Sequence, residues 1–265
     1  LTRLHLLRTQ LQHEALASVR SIVLTDGDDI EGEGARFGIG LIADGPPPEQ
    51  RPRVGAPDDA VSWLIQKGSG YQMYEGVVHD YSGPRWVNLT VGALILPTPP
   101  FAFVQAHPEG RLQMHRQAMT WAGRPSSART RAVDLGSGTG FFARGLAALG
   151  WQVDAVEPSP HARHAWSTPP AGIEFHALGA EEFAWPQDTE LVILDPPRSG
   201  MKPEWMAGCL AARPQRILAV HCGQAAAKRD LTLLRESGYK PQSAVLVNLF
   251  PGSPHGELMS LWERS

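Results

Sequence analysis

Apolar residues along the chain follow three regimes of spacing. Over residues 1–20, Leu4, Leu7, Leu11, Ala15 and Val19 recur every three to four positions, which predicts a packing helix. From residue 60 to 105 the period shortens to two. Val87, Leu89 and Val91 alternate with Asn88 and Thr90, and Gly68–Gly70 and Ser82–Pro84 punctuate the runs as turns. Beyond a helix predicted near 109–122, short apolar runs and helical stretches take turns. Strands are predicted at 132–135, 152–156, 173–178, 191–194, 216–220, 243–249 and 257–262. Helical patterns follow Gly140, surround Glu181 and Glu182, and fill 225–237. Strands alternating with helices build a parallel sheet covered on both faces. Pro97, Pro99 and Pro100 mark the boundary between a small α+β domain (1–100) and an α/β domain (101–265).

The α/β part is organised around residues 131–157. An apolar run (Ala132, Val133, Leu135) ends in Gly136, Gly138 and Gly140. A helical pattern in Phe141, Phe142, Leu146 and Leu149 follows, and a second strand, Gln152–Val156, closes on Glu157. Strand, glycine turn, helix, strand and acid together read as the opening unit of a doubly wound nucleotide-binding fold. The glycines let backbone approach a ligand, and an acid after the second strand can accept both ribose hydroxyls. A dinucleotide fingerprint wants a third glycine three residues after the second. Phe141 stands there instead, and the spacing is G-x-G-x-G.

Composition narrows the picture less. A hydrophobic share of 42%, a charged share of 19% and a net charge of −3 describe a water-exposed globular chain rather than a dedicated nucleic-acid binder. Any RNA contact must therefore be local. Five arginines and no acid lie between Gly110 and Val133 (Arg111, Arg116, Arg124, Arg129, Arg131), a candidate phosphate-facing patch. Asp26, Asp28, Asp29, Glu31 and Glu33 crowd together, but without the register of a calcium loop they read as a solvated turn. Cys209 and Cys222 supply neither a disulfide framework nor metal-cluster spacing, which suits a reducing cytoplasm. No apolar run is long enough to span a bilayer. Leu1 is not an initiator Met, so an upstream segment is compatible with the sequence.

In an open α/β sheet, ligands sit at the carboxyl ends of the strands. Asp195 and Arg198 follow the fourth predicted strand, Cys222 follows the fifth, and Glu257 begins the last. Topology brings all four to the edge that carries the glycine turn. The motifs involved are Asp195-Pro-Pro-Arg198, the strand-ending Cys222, Arg229-Asp230-Leu231, and Phe250-Pro-Gly-Ser-Pro-His255-Gly-Glu257. With Phe103-Val-Gln105 ahead of them and the glycine turn, they resemble the RNA 5-methyluridine (uracil-C5) methyltransferases, a family of class I S-adenosylmethionine-dependent methyltransferases. The resemblance covers roughly residues 101–265.

That resemblance implies a Rossmann-like seven-stranded sheet with an antiparallel last strand, acting as a monomer on rRNA or tRNA, with no metal or iron–sulfur cluster. It implies S-adenosylmethionine held by Gln105, Asp134, Gly136, Gly138, Glu157 and Asp195, and a uracil contacted by Phe103, Asp195 and Arg198. Cys222 becomes the nucleophile and Glu257 the base. The residue types suit the task. C5 of uracil takes a methyl group only after a thiolate has added at C6, and a base must then remove the C5 proton. Gly223 opens a helix behind Cys222, an arrangement expected to lower the thiol pKa. Cys209 reads as a buried packing residue and His255 as a loop-ordering one. The chain departs from the family at His221, Gly223 and Gln224 around the cysteine, at Phe141, and at Gln105-Ala-His107. The family's N-terminal RNA-binding barrel and iron–sulfur cysteines are not seen. Two alternatives stand beside this reading: an amino-group methyltransferase, against which Arg198 argues because such enzymes follow Asp-Pro-Pro with an aromatic, and a non-catalytic RNA-binding relic.

Overall fold

A computed structural model describes residues 7–28, 37–66, 76–105, 107–249, 252 and 256–265. The chain divides into two compact units. One comprises Leu1–Phe103 with His161–Ser167, the other Val104–Pro160 with Thr168–Ser265.

The first unit is built on a four-stranded sheet of β1 (Val19–Asp26), β2 (Phe37–Ala43), β3 (Ala60–Gln66) and β4 (Gly76–Ser82), in that order. β1 runs antiparallel to β2, β2 parallel to β3, and β3 antiparallel to β4. β5 (Val87–Val91) and β6 (Leu94–Thr98) form a separate hairpin. Val87, Leu89 and Val91 of the predicted alternation are all buried, but so is Asn88, and only Thr90 faces out. The core gathers Leu7, Leu16, Ile39, Leu41, Val61, Trp63 and Tyr81, with the Trp63 and Tyr81 rings stacked 5.7 Å apart.

The helix predicted over 1–20 does not continue through the described residues. Residues 7–10 make one helical turn, His13 caps a short 3-10 turn at Glu14–Leu16, and β1 begins at Val19. The apolar spacing was real, since Leu7 and Leu16 are buried and Leu11 and Val19 pack beside them. Pairing with β2 nevertheless wins from Val19 onward, because strand hydrogen bonds and sheet packing outweigh a weak helical preference. Residues 1–6, and Asp29, Glu31 and Glu33 of the acidic turn, lie outside the described residues.

The second unit carries a seven-stranded sheet. Its strands are β7 (Arg131–Leu135), β8 (Gln152–Val156), β9 (Ile173–His176), β10 (Thr189–Leu194), β11 (Arg216–His221), β12 (Tyr239–Val247) and β13 (Glu257–Arg264). They are ordered β12-β13-β11-β10-β7-β8-β9. β13 comes after β12 in sequence yet lies between β11 and β12, antiparallel to both. Helices α1 (Pro108–Ala122), α2 (Ala143–Ala148), α3 (Pro203–Ala212) and α4 (Gln224–Glu236) accompany the strands. His107 and Pro108 start α1, His107 accepting from Gly110 N at 3.1 Å in a position where the proline's missing N–H costs nothing. The central strands are apolar on both faces, as strands covered on both sides must be, and Val192, Leu194, Ile217 and Ala219 pack with Trp205, Met206, Cys209 and Trp262. The helix predicted around Glu181 and Glu182 is only a turn, in which Glu181 accepts from Trp205 Nε1. No described helix is long and apolar enough to cross a membrane.

Candidate active site

β7 delivers Asp134 and then the glycine turn to the carboxyl edge of the sheet. Gly136 and Gly138 adopt φ of +78° and +53°. A Cβ on Gly136 would lie 2.7 Å from the Asp195 carbonyl oxygen, so glycine there lets the turn lie against the loop after β10. A Cβ on Gly138 would meet nothing within 4 Å, so this backbone faces open space available to a ligand. Glu157, just past β8, fixes the turn. One carboxylate oxygen accepts from Gly138 N at 2.9 Å and the other from Ser159 N at 2.7 Å. Asp134 is fully buried, accepts from Ala143 N at 2.9 Å at the start of α2, and leaves Oδ1 without a partner.

Asp195 follows β10 and Glu257 opens β13. Burial pushes both carboxyls above the usual range, and at Asp195 the nearby Glu257, Asp134 and Glu157 push further. At Glu257 a hydrogen bond from the Gln105 side chain and the charge of Arg198 oppose the rise. Asp134 is raised to about 7 by burial and by Glu157, against the Ala143 hydrogen bond. Four carboxyls thus share an edge where ionising all of them is unfavourable without a cation.

The raised Asp134 has a testable consequence. A carboxyl whose folded pKa exceeds its unfolded value contributes stability at low pH that is lost as pH rises through the folded pKa. Relative to Asp134→Asn, the wild-type chain should therefore lose stability between about pH 4 and about pH 7, measured by thermal midpoints across that range. Parallel profiles for the two proteins would show that Asp134 is not perturbed.

Cys222 is half-buried and unpaired at the end of β11. Its thiol is raised, first by burial and then by Glu257, with Asp195 adding to the rise and Arg198 opposing it. The lowered thiol pKa expected from the helix start is thus not what the structure holds. Burial is the larger cause, and the two acids add to it. Arg198, itself exposed, is the cation within electrostatic reach of both Cys222 and Glu257. Gly223 caps α4 with no side-chain bond, and a Cβ there would lie 2.8 Å from the Arg198 carbonyl oxygen. Glycine at 223 therefore lets the Arg198 loop lie against the turn that carries Cys222. Cys209 is fully buried, its thiol pushed up to about 12, and matches its reading as a packing residue.

Gln105 is buried, with its side chain on Glu257 and its carbonyl accepting from Arg111 Nη1 at 3.0 Å. Phe103 belongs to the first unit and is 73% exposed. His255 lies outside the described residues. Two members of the predicted arginine patch are not free for phosphate. Arg111 is buried, and Arg131 forks onto Asp154 at 2.6 and 2.8 Å with Glu174 at 3.3 Å. Arg131 also begins β7 and so lies at the opposite edge of the sheet. His176 completes that cluster with a 2.9 Å contact to Asp154, so the Asp154–Glu174–His176 group is already engaged by a guanidinium.

Sequence reasoning missed a buried network behind Cys222. His221 Nε2 lies 3.2 Å from Asp230 Oδ2, and both side chains are almost wholly buried. Asp230 also accepts from Met201 N at 2.8 Å and from Arg229 Nε at 2.9 Å. Arg229 in turn donates to the carbonyls of Ser199 and Met201 at 3.0 and 3.2 Å. The network ties α4 to the loop that carries Asp195 and Arg198 and to β11, whose last residue, His221, precedes Cys222. Burial holds the His221 imidazole below its usual range despite the pull of Asp230. The signal was present as Arg229-Asp230-Leu231, but its partner in the chain was not foreseeable from spacing.

No family model matches the chain. Curated relatives do. The 23S rRNA (uracil(1939)-C(5))-methyltransferase RlmD of Shewanella amazonensis is 32% identical over 191 residues, 69% of this chain and 42% of that protein. An uncharacterized RNA methyltransferase of Halalkalibacterium halodurans is 27% identical over 191 residues, 68% of this chain and 41% of its own length. The chain thus spans about two fifths of the curated relatives it matches. Among solved structures, the Pyrococcus abyssi tRNA (uracil-54, C5)-methyltransferase, crystallised with S-adenosyl-L-homocysteine, superposes with a TM-score of 0.69 at 21% identity, over 92% of this chain and 59% of that one. That likeness shows the fold, the class I methyltransferase sheet preceded by a further sheet unit.

Proposed function

From its kinship with RNA uracil-C5 methyltransferases, we infer that the chain transfers a methyl group from S-adenosylmethionine to C5 of a uridine in rRNA or tRNA, in the cytoplasm. The observation that carries this reading is the single edge on which the Gly136–Gly138 turn, Glu157, Asp195, Cys222 and Glu257 meet. The residues fit the cofactor. Gly138 backbone borders open space, Asp134 keeps a buried oxygen unpartnered, and the carboxyl cluster suits a cationic ligand. Gly136, Gly138, Asp134, Glu157 and Asp195 would hold it, and it supplies a methyl group made electrophilic by a sulfonium. Gln105, assigned to the cofactor by resemblance, also hydrogen-bonds Glu257.

The chain's own steps follow. Cys222 rests as a thiol, gives its proton to solvent on activation, and has Arg198 as the charge that favours the resulting thiolate. The thiolate adds to C6 of the uracil, and the displaced π electrons make C5 the nucleophilic carbon that accepts the methyl group. Glu257 then takes the C5 proton, the C5–C6 double bond re-forms, and the sulfur leaves with its electron pair. Asp195, its carboxyl pushed up first by burial and then by its acidic neighbours, stands where it would meet the uracil edge. Arg198 is the remaining candidate in this unit for contact with the base.

Two measurements test the reading. Unmodified rRNA and tRNA transcripts incubated with the protein and methyl-labelled cofactor should yield labelled 5-methyluridine on nucleoside analysis. Label in base amino groups would favour the amino-group alternative, and binding of RNA without any transfer would favour the relic. For cofactor binding, Glu157→Ala should weaken calorimetric affinity by about 1.5–3 kcal/mol, the range for a hydrogen bond to a charged group. Wild-type affinity in that variant would remove Glu157 from the cofactor site.

A further inference from the structure

A groove of 340 Å³ runs between α1 and the end of β12, lined by Gln113, Arg116, Gln117 and Thr120 on one side and Val245, Leu246 and Val247 on the other. We propose that this groove binds the nucleotide next to the target uridine, so that the chain reads its RNA through α1 and β12. The proposal rests on the RNA reading above and names the surface that reading lacks.

The four polar residues stand at i, i+3, i+4 and i+7 of α1, hence on one helical face. Two amides and a guanidinium are the groups that hydrogen-bond base edges, and a guanidinium also stacks on a base or pairs with phosphate. The opposite wall is apolar, with Leu246 70% exposed, a large hydrophobic side chain left to solvent beside a polar helix face. Among the described residues that line the groove, Arg116 is the sole charge. An anionic, flat-faced ligand satisfies both walls. The volume lies near the lower end of ligand pockets, roughly 300–1,000 Å³, as a single nucleotide requires.

Register joins the groove to the chemistry. Val247 pairs directly with Glu257, and Leu246 with Leu258. Neighbouring strands lie about 4.8 Å apart, so one end of the groove sits one strand away from the proposed base. Of the five arginines between Gly110 and Val133, Arg111 is buried and Arg131 is ion-paired, whereas Arg116 lines this groove. Arg124 and Arg129 follow the C-terminal end of α1, at the edge where β7 begins.

The test uses the whole chain and a fluorescein-labelled, uridine-rich single-stranded RNA of about a dozen nucleotides, the size range bound by single-strand grooves. Affinity is read by anisotropy for the wild type, Arg116→Glu, Leu246→Ser, Gln113→Ala with Gln117→Ala, and Arg129→Glu. Both Arg116→Glu and Leu246→Ser should weaken RNA binding, by about tenfold and about fivefold. Arg129→Glu should match the wild type, and calorimetric affinity for S-adenosylmethionine should be unchanged throughout. All the substituted residues but Gln117 are exposed, and equal thermal midpoints establish that the variants fold. Wild-type RNA affinity in both Arg116→Glu and Leu246→Ser overturns the proposal. So does protection of residues 113–120 and 245–247 from hydrogen exchange on raising protein concentration without RNA, which would give the groove to a second copy. Loss of methyl transfer with these RNA effects intact would remove the chemistry proposed above and leave the groove as an RNA site.

Discussion

Cys222→Ala is expected to abolish methyl transfer, and with it a covalent complex that the wild type forms with RNA carrying 5-fluorouridine at the target. Fluorine at C5 denies Glu257 the proton it would remove, so the C6–sulfur bond cannot break and the protein stays attached through denaturing electrophoresis. Glu257→Gln should behave differently. Addition and methyl transfer survive, elimination does not, and ordinary RNA accumulates as a methylated adduct. The coupling of the two groups gives a check that needs no RNA. Because Glu257 helps hold the Cys222 thiol above its usual range, Glu257→Gln should raise the rate at which iodoacetamide alkylates Cys222 at neutral pH. Cys209, fully buried and raised to about 12, stays silent in that assay. A gel-shifted band that persists in Cys222→Ala, with turnover retained, would sink the nucleophile assignment.

Asp230→Ala is expected to be the most damaging change away from the reacting atoms. It strands the buried His221 imidazole and the Met201 N–H, and it frees Arg229 from the carboxylate that aims it at the Ser199 and Met201 carbonyls. Leaving a buried polar group without its partner costs about 1–3 kcal/mol. Arg229 is half exposed, so most of that cost falls on the other two contacts. Turnover should fall further than stability, because the loop that carries Asp195 and Arg198 loses its anchor to α4. Denaturant unfolding beside a turnover assay separates the two effects. Asp230→Asn keeps an acceptor for Met201 N and should recover part of the stability. Wild-type unfolding and turnover in Asp230→Ala would show the network to be incidental.

The α/β half was legible because its strands are buried on both faces and its turns need glycine, so pattern and φ agree at Gly136 and Gly138. The same regularity placed Asp195, Cys222 and Glu257 on one edge before any coordinates. What the sequence could not show was how each charge is compensated. Arg131 looked like a phosphate ligand until β8 brought Asp154 against it, and the Cys222 thiol pKa depends on two acids 27 and 35 residues away in sequence (Asp195 and Glu257). The first unit was less legible. The leucines near the start of the chain do pack inward, but their helical spacing gave no hint that Val19 would pair with Ala43. Short apolar repeats fit either a helix or a strand, and the decision lies with a partner far away in sequence.

The position of β13 sets an order of assembly. β12 is made before it but has no place in the sheet without it, since β13 is the strand that joins β12 to β11. While a nascent chain lacks residues 257–264, both β11 and β12 present unpaired backbone, the kind of edge that recruits other chains. Glu257 is the first residue of that strand. Closure of the sheet and delivery of the proposed base are therefore one event, and a chain that has not finished folding carries the Cys222 thiol without the acid that would complete its cycle.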